Sequence, residues 1–111
     1  MTPRPVVLLA TAPDHSTAVS IANRLVDERL AACCNVIDGM TSIYRWQDVR
    51  VNATETLMII KTAEDRVVAL ERRYVGLHPY DVPELILLGV ATGNEPYLSW
   101  VIEASRPSAD E

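Results

Sequence analysis

Phenylalanine is absent from this 111-residue chain, and aromatic residues of all kinds make up only 5% of it. The core must therefore be built from Val, Ile, Leu and Ala. Glycine is also scarce, with four residues, too few for most sites that cradle a ligand with backbone amides. There is no Gly-rich phosphate loop, no P-loop lysine, no GxSxG elbow and no HExxH pair, so the common enzymatic signatures are missing and an enzyme is not expected. The two cysteines, Cys33 and Cys34, are adjacent. Neighbouring strand residues point to opposite faces, which argues against a disulfide between them and makes a reducing cytoplasm the expected setting. Basic residues are outnumbered, 10 against 15 acidic, for a net charge of −5. Nucleic acid and anionic membranes are poor partners for such a chain, whereas a cation is not disfavoured. No apolar run approaches a membrane span, and Met1-Thr2-Pro3-Arg4-Pro5 leads into strand-like residues with no secretory pattern.

What remains is an ordinary globular balance, 49% apolar and 23% charged, in a length that fits one domain over 1–111. Val6 to Thr11 is a short apolar run, read as a strand buried on both faces. Asp14 is a candidate N-cap for an amphipathic helix carrying Ala18, Ile21, Ala22, Leu25 and Arg29 at helical spacing. Cys33 to Trp46 reads as a long strand kinked at Asp38-Gly39. Gln47 to Asn52 reads as a polar turn, and Thr54 to Thr62 as the returning strand. Both strands exceed the usual five or six residues, so this hairpin arm should overhang its own core and be either partly floppy or covered by another subunit. A second amphipathic helix places Val67, Leu70, Tyr74 and Leu77 on one face, with Gly76 near its end as a stop signal. A strand from Glu84 to Ala91 follows. After Gly93-Asn94 a short helix turns Tyr97, Leu98, Val101 and Ile102 inward, and Arg106 to Glu111 should fray. The order βαββαβ plus a C-terminal helix predicts an α+β, ferredoxin-like domain with a four-stranded antiparallel sheet.

The segment from Leu77 to Glu84 holds the chain's densest group of chemically useful side chains. Pro79 and Pro83 each fix φ and bias His78 and Val82 toward extended backbone. This stiff connection either only stops a helix and starts a strand, or forms a binding wall presenting His78, Tyr80, Asp81 and Glu84. A tetrahedral Cys/His metal site has no CxxC or HxxxH spacing here. A single subunit offers at most two or three weak ligands, His78 with Cys33 and Glu84, for an ion that would be adventitious or shared between subunits. Pairing of His78 with Cys33 or Cys34 as a nucleophile is the weaker alternative, because a small strand cysteine usually only packs. His15 reads as solvated. Trp46, at the tip of the arm, fits an interface anchor. Lys61 could bind an anion or simply end a strand.

Six blocks then fall into register: Thr11-Ala12-Pro13-Asp14, Leu30-Ala31-Ala32-Cys33, Thr41-Ser42-Ile43-Tyr44-x-Trp46, Ile60-Lys61-Thr62, His78-Pro79-Tyr80-x-x-Pro83-Glu84 and Tyr97-Leu98-x-Trp100. In order and spacing they resemble the CutA divalent-cation tolerance proteins, over Val6 to Ile102. The resemblance implies a cytoplasmic homotrimer linked to tolerance of copper and other divalent cations, in a binding or signalling role, with no required cofactor. It also implies a likeness to PII signalling trimers. A small anionic ligand in inter-subunit clefts near Trp46, Lys61 and Tyr80 is therefore a second reading, and a structural trimer serving a partner protein a third. Two suggested copper-ligand positions of the family are Ala10 and Leu77 here, which leaves His78 and implies weak metal binding. The arm's turn, Trp46-Gln47-Asp48-Val49-Arg50, lacks the family's glycine.

Overall fold

In the computed structural model, residues 2–108 are described. Strand β1 (Pro5–Ala12) buries Val6, Leu8 and Ala10, while Val7 and Leu9 on the opposite face are only half-buried. The run is therefore not covered on both sides as its composition suggested, because helices pack against one face only. Helix α1 (His15–Asp27) begins at Asp14, whose carboxylate accepts the Thr17 N–H at 2.8 Å, and buries Ala18, Ile21, Ala22 and Leu25. Arg29 does not belong to the helical series. It adopts φ 58°, and the next two amides return to the Leu25 carbonyl, closing the helix in a left-handed cap usually given to glycine.

Strands β2 (Cys33–Trp46) and β3 (Val49–Ala63) form the arm. Their register shifts between Ile37 and Met40, at the expected kink, where Gly39 takes φ 77°. The stretch expected to be a six-residue turn is mostly strand. Only Gln47 and Asp48 turn, both at positive φ (50° and 64°), in a two-residue connection between Trp46 and its partner Val49. Alternating Val49 and Val51, with a partner strand to bond, outweighed the local polarity.

A single tight turn (Glu64–Arg66) leads into α2 (Val67–Leu77), which buries Leu70 and Tyr74 and rests Val67 and Leu77 against the core. Gly76 lies inside this helix, which ends at the extended His78 before Pro79. Strand β4 (Leu85–Gly89), shorter than anticipated, pairs with the outer edge of β1. Helix α3 (Glu95–Ala104) buries Val101, whereas Tyr97 is exposed beside Trp100 and does not turn inward. Arg106 is not frayed: its guanidinium grips Asp65 with two hydrogen bonds of 2.6 and 2.8 Å. The rest of that tail, from 109 onward, lies outside the described residues.

The sheet order is β2-β3-β1-β4 with every neighbouring pair antiparallel, the ferredoxin-like α+β arrangement. Cys34 packs against the core on the face that α1 and α2 cover, and Arg73 links those helices through a bidentate contact to Glu28 at 2.9 Å. The other face carries Val7, Leu9, Leu57 and Ile59, half-buried, with Ile37, Ile86 and Leu88 exposed. A radius of gyration of 14.7 Å and a long axis of 46 Å reflect the projecting arm, since a compact chain of this length gives about 13 Å.

Candidate functional site

The last turn of α2 and the two prolines fix one wall of a groove. Tyr74, fully buried, donates its hydroxyl to the Glu84 carbonyl at 2.7 Å, with the Thr11 carbonyl at 3.2 Å, so it pins the far end of the loop to β1. Burial pushes the Tyr74 phenol well above its ordinary pKa, and it acts only as a donor here. His78 is buried between two rings, 5.2 Å from Tyr74 and 4.8 Å from Tyr80 by ring centroid. One ring nitrogen, Nε2, lies 2.7 Å from the Thr11 carbonyl, and the other, Nδ1, accepts the Tyr80 N–H at 3.1 Å. A carbonyl can only accept and an amide can only donate. The pair of contacts therefore specifies the neutral imidazole with its proton on Nε2.

Beyond this stiff segment the groove opens, with a volume of about 710 Å³. Its base is Glu55 of β3, whose side chain is buried and accepts the Tyr80 hydroxyl at 3.2 Å. Burial, then the nearby Glu55 charge, raises the Tyr80 pKa, which keeps that hydroxyl a donor. Tyr44 and Trp46 of the arm form the facing wall, and Asp81 and Glu84 stand on the loop side.

The expected metal set does not come together. Cys33 is in register with Lys61 and hence Val7, four residues along from Thr11 and two strands across, roughly 13 Å in the strand direction alone. Its thiol points to Asn35, at 3.8 Å. Both nitrogens of His78 are committed within the protomer, and Glu84 enters the network through its backbone. Among the described residues no group of three or more His, Cys, Asp or Glu side chains could hold a metal ion. A Cys-His nucleophile pair fails for the same reasons, and burial pushes the Cys34 thiol up to about 12.

The cleft set divides. Trp46 and Tyr80 line the groove, but Lys61 lies six residues along β3 from Glu55, roughly 20 Å away, with its ammonium hydrogen-bonded to Asn35. No lysine, arginine or histidine side chain lines the groove among the described residues. His15 is not simply solvated, since its Nδ1 meets Asp38 at 2.9 Å. Glu55 was missed by sequence reasoning. Its signal was a charged residue in phase with Leu57 and Ile59, on the face no helix covers.

A four-stranded antiparallel sheet with one helix-free face, three helices and a projecting hairpin defines a small α+β domain of the ferredoxin-like kind. The profile of the CutA1 divalent ion tolerance protein family matches residues 6–104, and the chain belongs to that family. It is 47% identical over 97 residues to the divalent-cation tolerance protein CutA of Thermus thermophilus, covering 87% of this chain and 94% of the relative. With human Protein CutA the identity is 43%, over 90% of this chain but only 56% of that longer protein. The solved Thermus thermophilus structure superposes with a TM-score of 0.88 at 46% identity, covering 90% of this chain and 97% of that one. Oryza sativa CutA1 gives 0.91 at 36%, over 96% and 98%. A relative from Archaeoglobus fulgidus, 28% identical with a TM-score of 0.88 over 92% of this chain and 99% of that one, is described as periplasmic. These relatives are named for tolerance of divalent cations or simply as CutA, and not for a reaction. Among the described residues no helix is long and apolar enough to cross a membrane.

Proposed function

We propose that the chain works as a cytoplasmic homotrimer in divalent-cation tolerance, as a binding and signalling component and not as an enzyme, holding copper or another divalent cation at most weakly. The observation that carries this is the helix-free face of the sheet. Val7, Leu9, Leu57 and Ile59 form a continuous apolar surface there with Ile86 and Leu88. It lies beside the unpaired outer edge of β4 and a hairpin of 14- and 15-residue strands. An apolar face and a free edge of this kind invite association, and a closed symmetric assembly satisfies both without open-ended growth.

Weak metal binding is supported by the donor chemistry. His78, in the stiff loop behind the groove wall, is engaged at both nitrogens, so a metal ligating it would have to break a buried hydrogen bond. A small anion in the groove is not favoured, because the lining side chains that carry charge are carboxylates. Sedimentation velocity across a wide concentration range is the test. A species three times the 12.3 kDa protomer mass is expected, and a concentration-independent monomer would overturn the assembly.

A further inference from the structure

Glu55 is 7% exposed within the protomer, and its polar partner among the described residues is a neutral phenol, the Tyr80 hydroxyl. In the homotrimer proposed above, the helix-free face and the arm are covered, which removes the water that still reaches it. A carboxylate taken out of water without a counter-charge is costly, and folded proteins pair or neutralise such a group. The assembly therefore has to bring a cation to Glu55, and few basic side chains of the chain are placed to serve.

Arg4, Arg24, Arg73 and Arg106 already face carboxylates. Arg66 reaches the Arg29 carbonyl beyond the end of α1, and Arg72 lies on α2, so these belong to the helical side of the sheet. Arg45 and Arg50 oppose each other on the arm, out of phase with Tyr44, Trp46 and Glu55, and point away from the groove. Lys61, the single lysine of the chain, differs. It is in phase with Glu55, Leu57 and Ile59 along β3 and stands beside Val7 on the helix-free face. Its ammonium hydrogen-bonds a neutral amide, that of Asn35. Opposite charges thus stand at the two ends of one apolar stripe, roughly 20 Å apart and too far to pair within a chain.

We infer that the partner subunit's Lys61 supplies the counter-charge of Glu55, an inference that rests on the homotrimer. A cyclic interface is head-to-tail, so each protomer offers one patch to the subunit before it and another to the subunit after it. A carboxylate at one end of the stripe and an ammonium at the other meet that requirement. A lysine stem can lie along the apolar face while its head reaches the carboxylate. Tyr80 acts as a positioning residue. Its hydroxyl bonds Glu55 and its amide bonds His78, so the stiff loop aims the carboxylate before a neighbour docks. The pair also sets the register of docking, because a displaced neighbour would leave two charges buried and unpaired.

The test is a double-mutant cycle on the full chain. Glu55→Gln keeps an acceptor for the Tyr80 hydroxyl, and Lys61→Met keeps the stem. Urea-induced dissociation, followed by sedimentation at fixed protomer concentration, is measured for both single variants, their combination and the swap Glu55→Lys with Lys61→Glu. Each single change should weaken the interface at least about tenfold, because it leaves one buried charge unpaired. The combined neutral variant should be no weaker than the poorer single, and the swap should recover part of what Glu55→Lys alone loses. Two positions this far apart in one chain can couple so directly only through contact between chains. Unchanged trimers in both single variants, or losses that simply add, would overturn the inference and leave the assembly standing. Coupling of Glu55 to Arg45→Gln or Arg50→Gln in place of Lys61→Met would overturn it as well. A wild-type monomer at every concentration would overturn both the inference and the homotrimer on which it rests.

Discussion

Replacing His78 with alanine tests whether this residue is a strut or a ligand. In the wild-type chain its Nε2–H reaches the Thr11 carbonyl at 2.7 Å, and Nδ1 takes the Tyr80 amide at 3.1 Å. The Thr11 oxygen would keep the Tyr74 hydroxyl at 3.2 Å, so losing the first bond should cost about 1 kcal/mol. Tyr80 is 39% exposed, and water can replace the second acceptor for roughly 0.5 kcal/mol. Two ring contacts, at 5.2 and 4.8 Å, also disappear, worth about 0.5–1.5 kcal/mol each. The sum is about 3 kcal/mol per chain, within the range for truncating a buried large side chain. Urea unfolding at fixed protomer concentration reads it as a lower midpoint, because any assembly couples stability to concentration. Copper calorimetry on the same protein should give an unchanged isotherm. An unchanged unfolding midpoint together with lost copper binding would refute the reasoning, because His78 would then serve a metal and not the loop.

Cys34 should resist thiol reagents in the folded protein and react readily once unfolded, and differential labelling with mass spectrometry separates it from Cys33. Its thiol is pushed from 9.0 to about 12 by burial. The unfolded chain therefore loses this proton first, and stability should fall as pH rises from about 9 toward 12, with no contribution from this group below 9. In Cys34→Ala that alkaline decline should shrink. Asp48→Gly relieves a positive φ of 64° at the arm's turn. It should stabilise the protein by up to about 1 kcal/mol, read as a higher denaturation midpoint.

Apolar spacing alone located both helices that pack on the sheet, because Ala18, Ile21, Ala22 and Leu25, and later Leu70 and Tyr74, recur at the period that one covered face requires. The extended backbone of His78 before Pro79 and the Asp14 cap were equally legible, since each is a property of one residue and its neighbours. So were the order of elements, the kink at Asp38-Gly39 and the family. Other features depended on residues distant in sequence. Whether Val7 and Leu9 are covered depends on which side the helices take, and whether 49–52 is strand depends on the partner it finds. Cys33, His78 and Glu84 were candidates by type, yet the strand order sets Cys33 two strands from the others. Glu55 carried no local mark beyond its phase in a strand. Only the packing of the loop from His78 to Glu84 over β3 buried its carboxylate and set it at the base of a groove.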